Sequence, residues 1–181
     1  FPWQNPDTIH PDLNDPNDWW NALLEKFRPF FENQKTPKDK IDPVLQSIRH
    51  HIVDHQHYTL FEDFLPSIKK IQSAGWECAI ISNHIPELEH TVEELGIRIF
   101  FTHVHSSALI GYEKPQKTIF EHALSKTQNT SKLWMIGDNP LADCRGAESC
   151  NIPAILVRSK GKPCKRSADD LYQATEIILG S

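Results

Sequence analysis

Apolar and polar residues alternate in blocks along the chain, and the first block is helical. Asp15-Pro16 has the form of an N-cap followed by proline at the first helical position, and Trp19, Trp20, Leu23, Leu24 and Phe27 then recur at helical spacing. Pro29 is expected to end or kink this helix, because an interior proline removes a backbone hydrogen bond and crowds the preceding turn. A second helix is predicted from about Lys38 to His51 on Ile41, Val44, Leu45 and Ile48. Residues 1–57 thus read as one aromatic-rich helical unit, bounded at Tyr58 where the pattern changes.

Downstream the pattern switches between helix and strand. A helix carrying Phe64, Leu65, Ile68 and Ile71 stops at Gly75, and Cys78-Ala79-Ile80-Ile81 reads as a buried parallel strand ending in the polar pair Ser82-Asn83. Pro86 opens a helix with Leu88, Val92 and Leu95 on one face, and Gly96 stops it. Ile97 to Val104 is strand-like, Pro115 opens a helix carrying Ile119, Phe120, Ala123 and Leu124, and Leu133 to Ile136 is a short buried strand. A helix from Leu141 to Ser149, a strand from Ile152 to Val157 and a last helix through Leu171, Ala174, Ile177 and Ile178 complete the alternation. Strands alternating with helices predict an α/β fold with a doubly wound, mostly parallel sheet over residues 58–181.

Composition narrows the class. Leu, Ile, Val and Phe make up about a quarter of the 181 residues, enough for a core, and one domain with a small appendage is expected at this length. No run approaches the ~18 consecutive apolar residues of a membrane span, so a soluble chain without a membrane partner is expected. The net charge is -5, with the excess of acids in the N-terminal third, and the basic footprint of a nucleic-acid binder is missing. The run Arg158 to Arg166 is the exception, and it reads as a solvated loop. Cys78, Cys144, Cys150 and Cys164 show no C-x-x-C spacing, so free thiols in a reducing cytoplasm are the expectation.

Ligands of such sheets bind at the carboxyl ends of strands. Two strand ends are polar here: Ser82-Asn83, and Gly137-Asp138-Asn139 with Asp143 a turn further on. Lys114 lies between them in sequence, before Pro115. A hydroxyl and backbone amides can hold phosphate oxygens, a lysine can neutralise their charge, and a carboxylate is a hard-oxygen ligand for Mg²⁺.

These residues, in this order, resemble the haloacid dehalogenase-like (HAD) hydrolases over about two thirds of the chain. Ile80-Ile81-Ser82-Asn83 resembles the family's hydrophobic strand ending in a phosphate-binding hydroxyl, and Lys114-Pro115 is similar to its Lys-Pro element. Gly137-Asp138-Asn139-Pro140-Leu141-Ala142-Asp143 is similar to its G-D-x-x-x-x-D element. The resemblance implies a Mg²⁺-dependent phosphatase of a small phosphorylated metabolite. Ser82 and Asn83 would orient the phosphoryl group and Lys114 would offset its charge. Asp138, supported by Asp143, would bind the metal. Residues 1–57 are similar to part of a helical cap.

The family's first strand carries Asp-x-Asp, whose first aspartate is the nucleophile. Nowhere in the 181 residues are two aspartates separated by a single intervening residue. Residue 1 is Phe and the single methionine is Met135, so a fragment is expected, inactive by itself, with its central strand missing. The alternative is a non-catalytic binding or regulatory module on the same fold. His50, His51, His55 and His57 read as a polar hinge between cap and core rather than a metal site. Trp19, Trp20, Phe27, Phe30 and Phe31 read as packing rather than the wall of a pocket.

Overall fold

The structure, a computed structural model, describes residues 10, 13–128, 130–159, 161 and 163–180. The start of the chain, and Lys160 and Lys162 of the basic run, lie outside the described residues.

Asp15 caps α1 (Pro16–Asn33), its carboxylate accepting from the Asn17 and Asp18 amides. The helix does not end at Pro29 but continues to Asn33. Pro29 is exposed, so the carbonyl it frees one turn back can be hydrated instead of buried. α2 (Lys38–Val53) returns along α1, and Trp19, Trp20, Leu24, Ile41 and Leu45 close a common core. Burying side chains of this size yields about 1.5–3 kcal/mol each, which is what holds the two helices together. The aromatic set divides: both tryptophans are buried, whereas Phe27 and Phe30 are 40% and 59% exposed. The core stripe passes through Trp20 and Leu24 and reaches Phe31, which packs against the same cluster, whereas Phe27 and Phe30 lie where α2 does not cover them.

The α/β part follows. α3 (Phe64–Ser73) leads into β1 (Ala79–Ser82), α4 (Leu88–Glu94) and β2 (His103–Ser106). The short helix α5 (Ser107–Ile110) and α6 (Lys117–Ser125) precede β3 (Met135–Gly137). A wide π-helical turn over Pro140–Arg145 runs into α7 (Gly146–Ser149), then β4 (Ala154–Val157), β5 (Ser167–Ala168) and α8 (Leu171–Leu179).

All strand pairings are parallel, in two separate ladders: β1 with β2, and β3-β4-β5. Side chains alternate across both. Ile81, Met135, Ala154 and Leu156 pack against Ile119, Phe120 and Ala147 of α6 and α7. Ile136, Ile155 and Val157 pack toward Ile71 of α3 and Ala174 and Ile178 of α8. Ile80 and Val104 pack beside Leu88 and Val92 of α4. Helices thus cover both faces of a parallel sheet, the doubly wound arrangement. The apolar layer under α6 and α7 continues from Ile81 of one ladder to Met135, Ala154 and Leu156 of the other, although no hydrogen bonds join β1 to β3 among the described residues.

Two departures from the sequence pattern are local. The predicted strand from Ile97 begins only at His103, because Arg98–Phe100 forms a 3-10 turn. There Phe100 and Phe101 pack against Phe64, at 6.2 Å between ring centroids, instead of extending a ladder. The expectation of free thiols also fails in part: Cys144 and Cys164 are joined in a disulfide, while Cys78 and Cys150 are free. The pairing follows from the return of the β4–β5 loop over the Pro140–Arg145 turn, which a 20-residue sequence separation does not reveal.

β2 places His103 and His105 on the face opposite Val104, and His105 meets His122 of α6 at 5.4 Å between ring centroids. Burial, then the neighbouring His122, His103 and Lys126, push the His105 imidazole down to about 4, against a weak opposing pull from Glu89. His105 is therefore neutral in the fold where the unfolded chain would take up a proton. Stability should be full above pH ~6.5 and fall as pH drops from there toward 4, by on the order of 2–3 kcal/mol from this residue. Urea unfolding at several pH values checks this, and His105→Leu should flatten the acid limb. An unchanged slope in that variant would remove His105 as the cause.

Candidate functional site at the strand ends

Ser82 closes β1, and the rim loop that follows is fixed by side chains from the start of α5. The Ser106 hydroxyl donates to the carbonyls of His84 and Ile85 at 2.9 and 2.8 Å, and the His84 amide donates to Ser107 Oγ at 3.2 Å. Burial holds the His84 imidazole below its ordinary range, so it is neutral at pH 7.

Asn83 does something the sequence did not signal. Its Nδ2 donates to the carbonyl of Lys114 at 2.9 Å, and its Oδ1 accepts from the amide of the same residue at 2.7 Å. This two-point clamp spends the Asn83 side chain on positioning the lysine. The peptide between Lys114 and Pro115 is cis. Beside it, burial raises the Glu113 carboxyl above the ordinary range.

Lys114 Nζ then reaches Asp143 Oδ1 at 2.6 Å, with the two side chains only 10% and 5% exposed. The other oxygen of Asp143 accepts from the Asn139 amide at 2.9 Å. Asn139 in turn caps the π-helical turn, its Oδ1 accepting from the Leu141 and Ala142 amides at 3.0 Å. One continuous chain of hydrogen bonds thus links the end of β1 to the end of β3, through Asn83, Lys114, Asp143 and Asn139. Ser82 and Asp138 flank this chain as sequence neighbours of Asn83 and Asn139. Asp138 is exposed, and its carbonyl accepts from Ser159 Oγ at 2.6 Å.

Gly137 makes the arrangement possible. A Cβ at this position would lie 2.2 Å from Asp143 Cγ, so only glycine lets the carboxylate tuck under the strand end. The sequence placed Gly137 in the G-D-x-x-x-x-D element without showing that Asp143 occupies the space of its absent Cβ. It also gave no sign of the ion pair between Arg158 and Asp63, a buried carboxylate that accepts the Leu171 amide as well. Burial alone would raise the Asp63 carboxyl, but these donors hold it below the ordinary range.

Magnesium fits this rim in part. Asp138 offers an exposed hard-oxygen carboxylate, whereas both oxygens of Asp143 already accept hydrogen bonds, which makes Asp143 a supporting group. Among the described residues no three His, Cys, Asp or Glu side chains surround a common point. The other oxygens of a six-coordinate ion must therefore come from water, substrate or further chain. Of the histidines near residue 55, His51 and His57 lie against each other at 3.8 Å between ring centroids, while His55 faces Glu94.

Of the remaining basic run, Arg158 pairs with Asp63, Lys165 with Glu148, and Arg166 lies over the Trp134 ring. The helical unit meets the rim at Glu87, whose carboxylate accepts from Trp20 Nε1 at 3.0 Å and from Arg49 at 3.3 Å. No helix among the described residues is long and apolar enough to cross a membrane.

A parallel, doubly wound sheet with a lysine, an amide and carboxylates linked across its carboxyl rim defines an α/β enzyme-core architecture. The chain belongs to the haloacid dehalogenase-like hydrolase family, whose profile matches residues 21–157. It is 29% identical over 148 residues to a glyceraldehyde 3-phosphate phosphatase from Methanothermobacter thermautotrophicus, covering 75% of this chain and 66% of that protein. It is 28% identical over 108 residues to a phosphoserine phosphatase from Thermus thermophilus, covering 58% of this chain and 43% of that protein. The fold is also that of a HAD phosphatase from Thermococcus onnurineus, with a TM-score of 0.68 at 15% identity over 94% of this chain and 89% of the other.

Proposed function

We propose that this chain is the greater part of a Mg²⁺-dependent phosphatase acting on a small phosphorylated metabolite. The observation that carries the reading is the Asn83–Lys114–Asp143–Asn139 chain, which presents a fixed ammonium between two polar strand ends. The curated relatives named as phosphatases support it.

In this reading the Ser82 hydroxyl and the backbone amides of the rim loop hold the phosphoryl oxygens. Lys114 Nζ offsets the negative charge that grows as the phosphoryl group moves, and Asp143 keeps that ammonium from swinging away. Because Asn83 clamps the lysine from behind, little reorganisation is needed during the reaction. Asp138 would hold Mg²⁺, which when bound supplies further neutralisation of the phosphoryl oxygens. The helical pair α1–α2, resting on Glu87 and Ile85 beside the rim, acts as a partial cap that restricts access to substrate.

Covalent phosphoryl transfer needs an attacking carboxylate, and we place it on an Asp-x-Asp strand lying between β1 and β3. The two ladders are unjoined there among the described residues while the apolar layer under α6 and α7 runs on from Ile81 to Met135, which supports the placement. The 181 residues alone should then show no appreciable hydrolysis of p-nitrophenyl phosphate with Mg²⁺. A longer protein bearing the strand should hydrolyse it, and Asp138→Ala should lower that rate by at least about 100-fold. Mg²⁺-dependent turnover by the 181-residue chain, abolished by Asp138→Ala, would refute the inactivity. A strand-bearing protein that is inert would favour a non-catalytic binding module.

A further inference from the structure

We propose that the Cys144–Cys164 disulfide is a reversible redox clasp that holds the acidic turn Asp138–Arg145 under the β4–β5 loop, so that thiol–disulfide status sets how well the turn is ordered. The inference rests on the functional reading above for its biological meaning, though not for its physical content.

The loop between Val157 and Ser167 touches the acidic turn and its flanks at four points. Ser159 Oγ donates to the Asp138 carbonyl, and Cys164 is bonded to Cys144, the residue directly after Asp143. Lys165 pairs with Glu148 of α7 at 3.3 Å, and Arg166 lies 5.2 Å over the Trp134 ring at the approach to β3. Only one of the four is covalent. The Lys165 side chain is 73% exposed, and pairs of that kind contribute little. Once the disulfide opens, the described residues of the loop keep only an exposed hydroxyl contact, a surface ion pair and one cation–π contact toward the turn and its flanks, while the ends of the loop stay tied by the Arg158–Asp63 pair and by the Leu156 amide, which donates to the Arg166 carbonyl.

The two sulfurs are unequally accessible, as exchange requires. Cys144 is 2% exposed and packs among Phe120, Ala147 and Leu156, whereas Cys164 is half-buried on the loop. Their Cα atoms are 6.1 Å apart, within the range a disulfide spans without backbone movement. An external thiolate attacks Cys164 Sγ, and the S–S electron pair departs on Cys144 Sγ, which takes up a proton. A second external thiol then displaces the mixed disulfide, leaving two protein thiols and one small-molecule disulfide. Re-oxidation runs the same steps backward, consuming a low-molecular-weight disulfide.

The 181-residue chain, prepared oxidised and after dithiothreitol, tests the clasp without substrate. Alkylation followed by mass spectrometry should find two blocked cysteines, Cys144 and Cys164, in the oxidised form and none in the reduced form. Reduction should lower Tm by about 5–10 °C. It should also speed amide exchange in residues 139–145 by at least about tenfold, as local opening becomes easier. Cys164→Ser, a change at a half-buried loop position, should behave like the reduced protein and ignore dithiothreitol. Cys150→Ser should keep the full difference. Four alkylated cysteines after treatment with oxidised glutathione, or equal exchange at 139–145 in both states, would overturn the clasp. A redox-sensitive turn in a strand-bearing protein that hydrolyses no phosphate would keep the clasp and remove the phosphatase reading. A redox-insensitive turn in an active phosphatase would do the reverse.

Discussion

Lys114→Met should lower the unfolding free energy by about 3–5 kcal/mol, the usual cost of removing one partner of a buried ion pair. Lys114 and Asp143 are 2.6 Å apart and almost wholly shielded from water. With the ammonium gone, the carboxylate keeps a single hydrogen bond, from the Asn139 amide. The loss comes from that stranded charge and not from the attraction of the pair, which against well-packed neutral groups would be nearly neutral. The double variant Lys114→Met, Asp143→Asn should accordingly recover more than half of the loss, since the amide oxygen can still accept from Asn139. Urea unfolding with an unchanged m-value reads both effects. A single variant within 1 kcal/mol of the parent, on the order of an exposed pair, would mean that water already reaches Asp143.

Gly137→Ala should cost about 2–4 kcal/mol through overpacking. The new methyl would sit 2.2 Å from Cγ and Oδ2 of Asp143 and 2.6 Å from its Cβ. The last of these atoms barely moves with side-chain rotation, so the π-helical turn or the end of β3 must shift. Either shift pulls on the Asn139 and Lys114 bonds that terminate on the same carboxylate. Coupling isolates the cause: in an Asp143→Gly background the alanine at 137 has no side chain to strike. Its cost there should be smaller by at least about 1 kcal/mol. Strict additivity of the two substitutions would show that the penalty arises elsewhere, for instance in the backbone of β3.

Both experiments concern residues that the pattern of the chain had already brought forward, Lys114 and Asp143, and their strength comes from two more that it named for other reasons. The sequence offers Asn83 as a group that orients phosphate and Gly137 as the start of the G-D-x-x-x-x-D element; that Asn83 clamps Lys114 and that Gly137 makes room for Asp143 appears only when the strand ends are set side by side. Asn83 follows a strand, as many turn residues do, and nothing in its neighbourhood forecasts that its amide would close on a peptide 31 residues away. The expectation that Pro29 could end the helix fails for a comparable reason. The cost of a proline depends on whether the freed carbonyl is wet, and exposure is a property of the packed helix. Phe100 and Phe101 have the composition of a strand, but a better aromatic partner, Phe64, draws them into a turn.

What the residues determine by themselves is periodicity. The continuous apolar run Ala154-Ile155-Leu156-Val157 forms a strand buried on both faces, the similar run Ala79-Ile80-Ile81 forms a strand that is only partly buried, and the amphipathic segments between them suit helices on either side. That is enough to fix a parallel α/β class and to put polar groups at strand ends. What only the tertiary structure decided is which groups meet: the lysine with Asp143, the two cysteines with each other, the π-helical turn beneath Gly137. The division has a physical cause. Periodicity reflects burial, which is summed over many residues and tolerates error in any one. A hydrogen bond or a disulfide depends on a few tenths of an ångström between segments whose separation is set by everything packed around them.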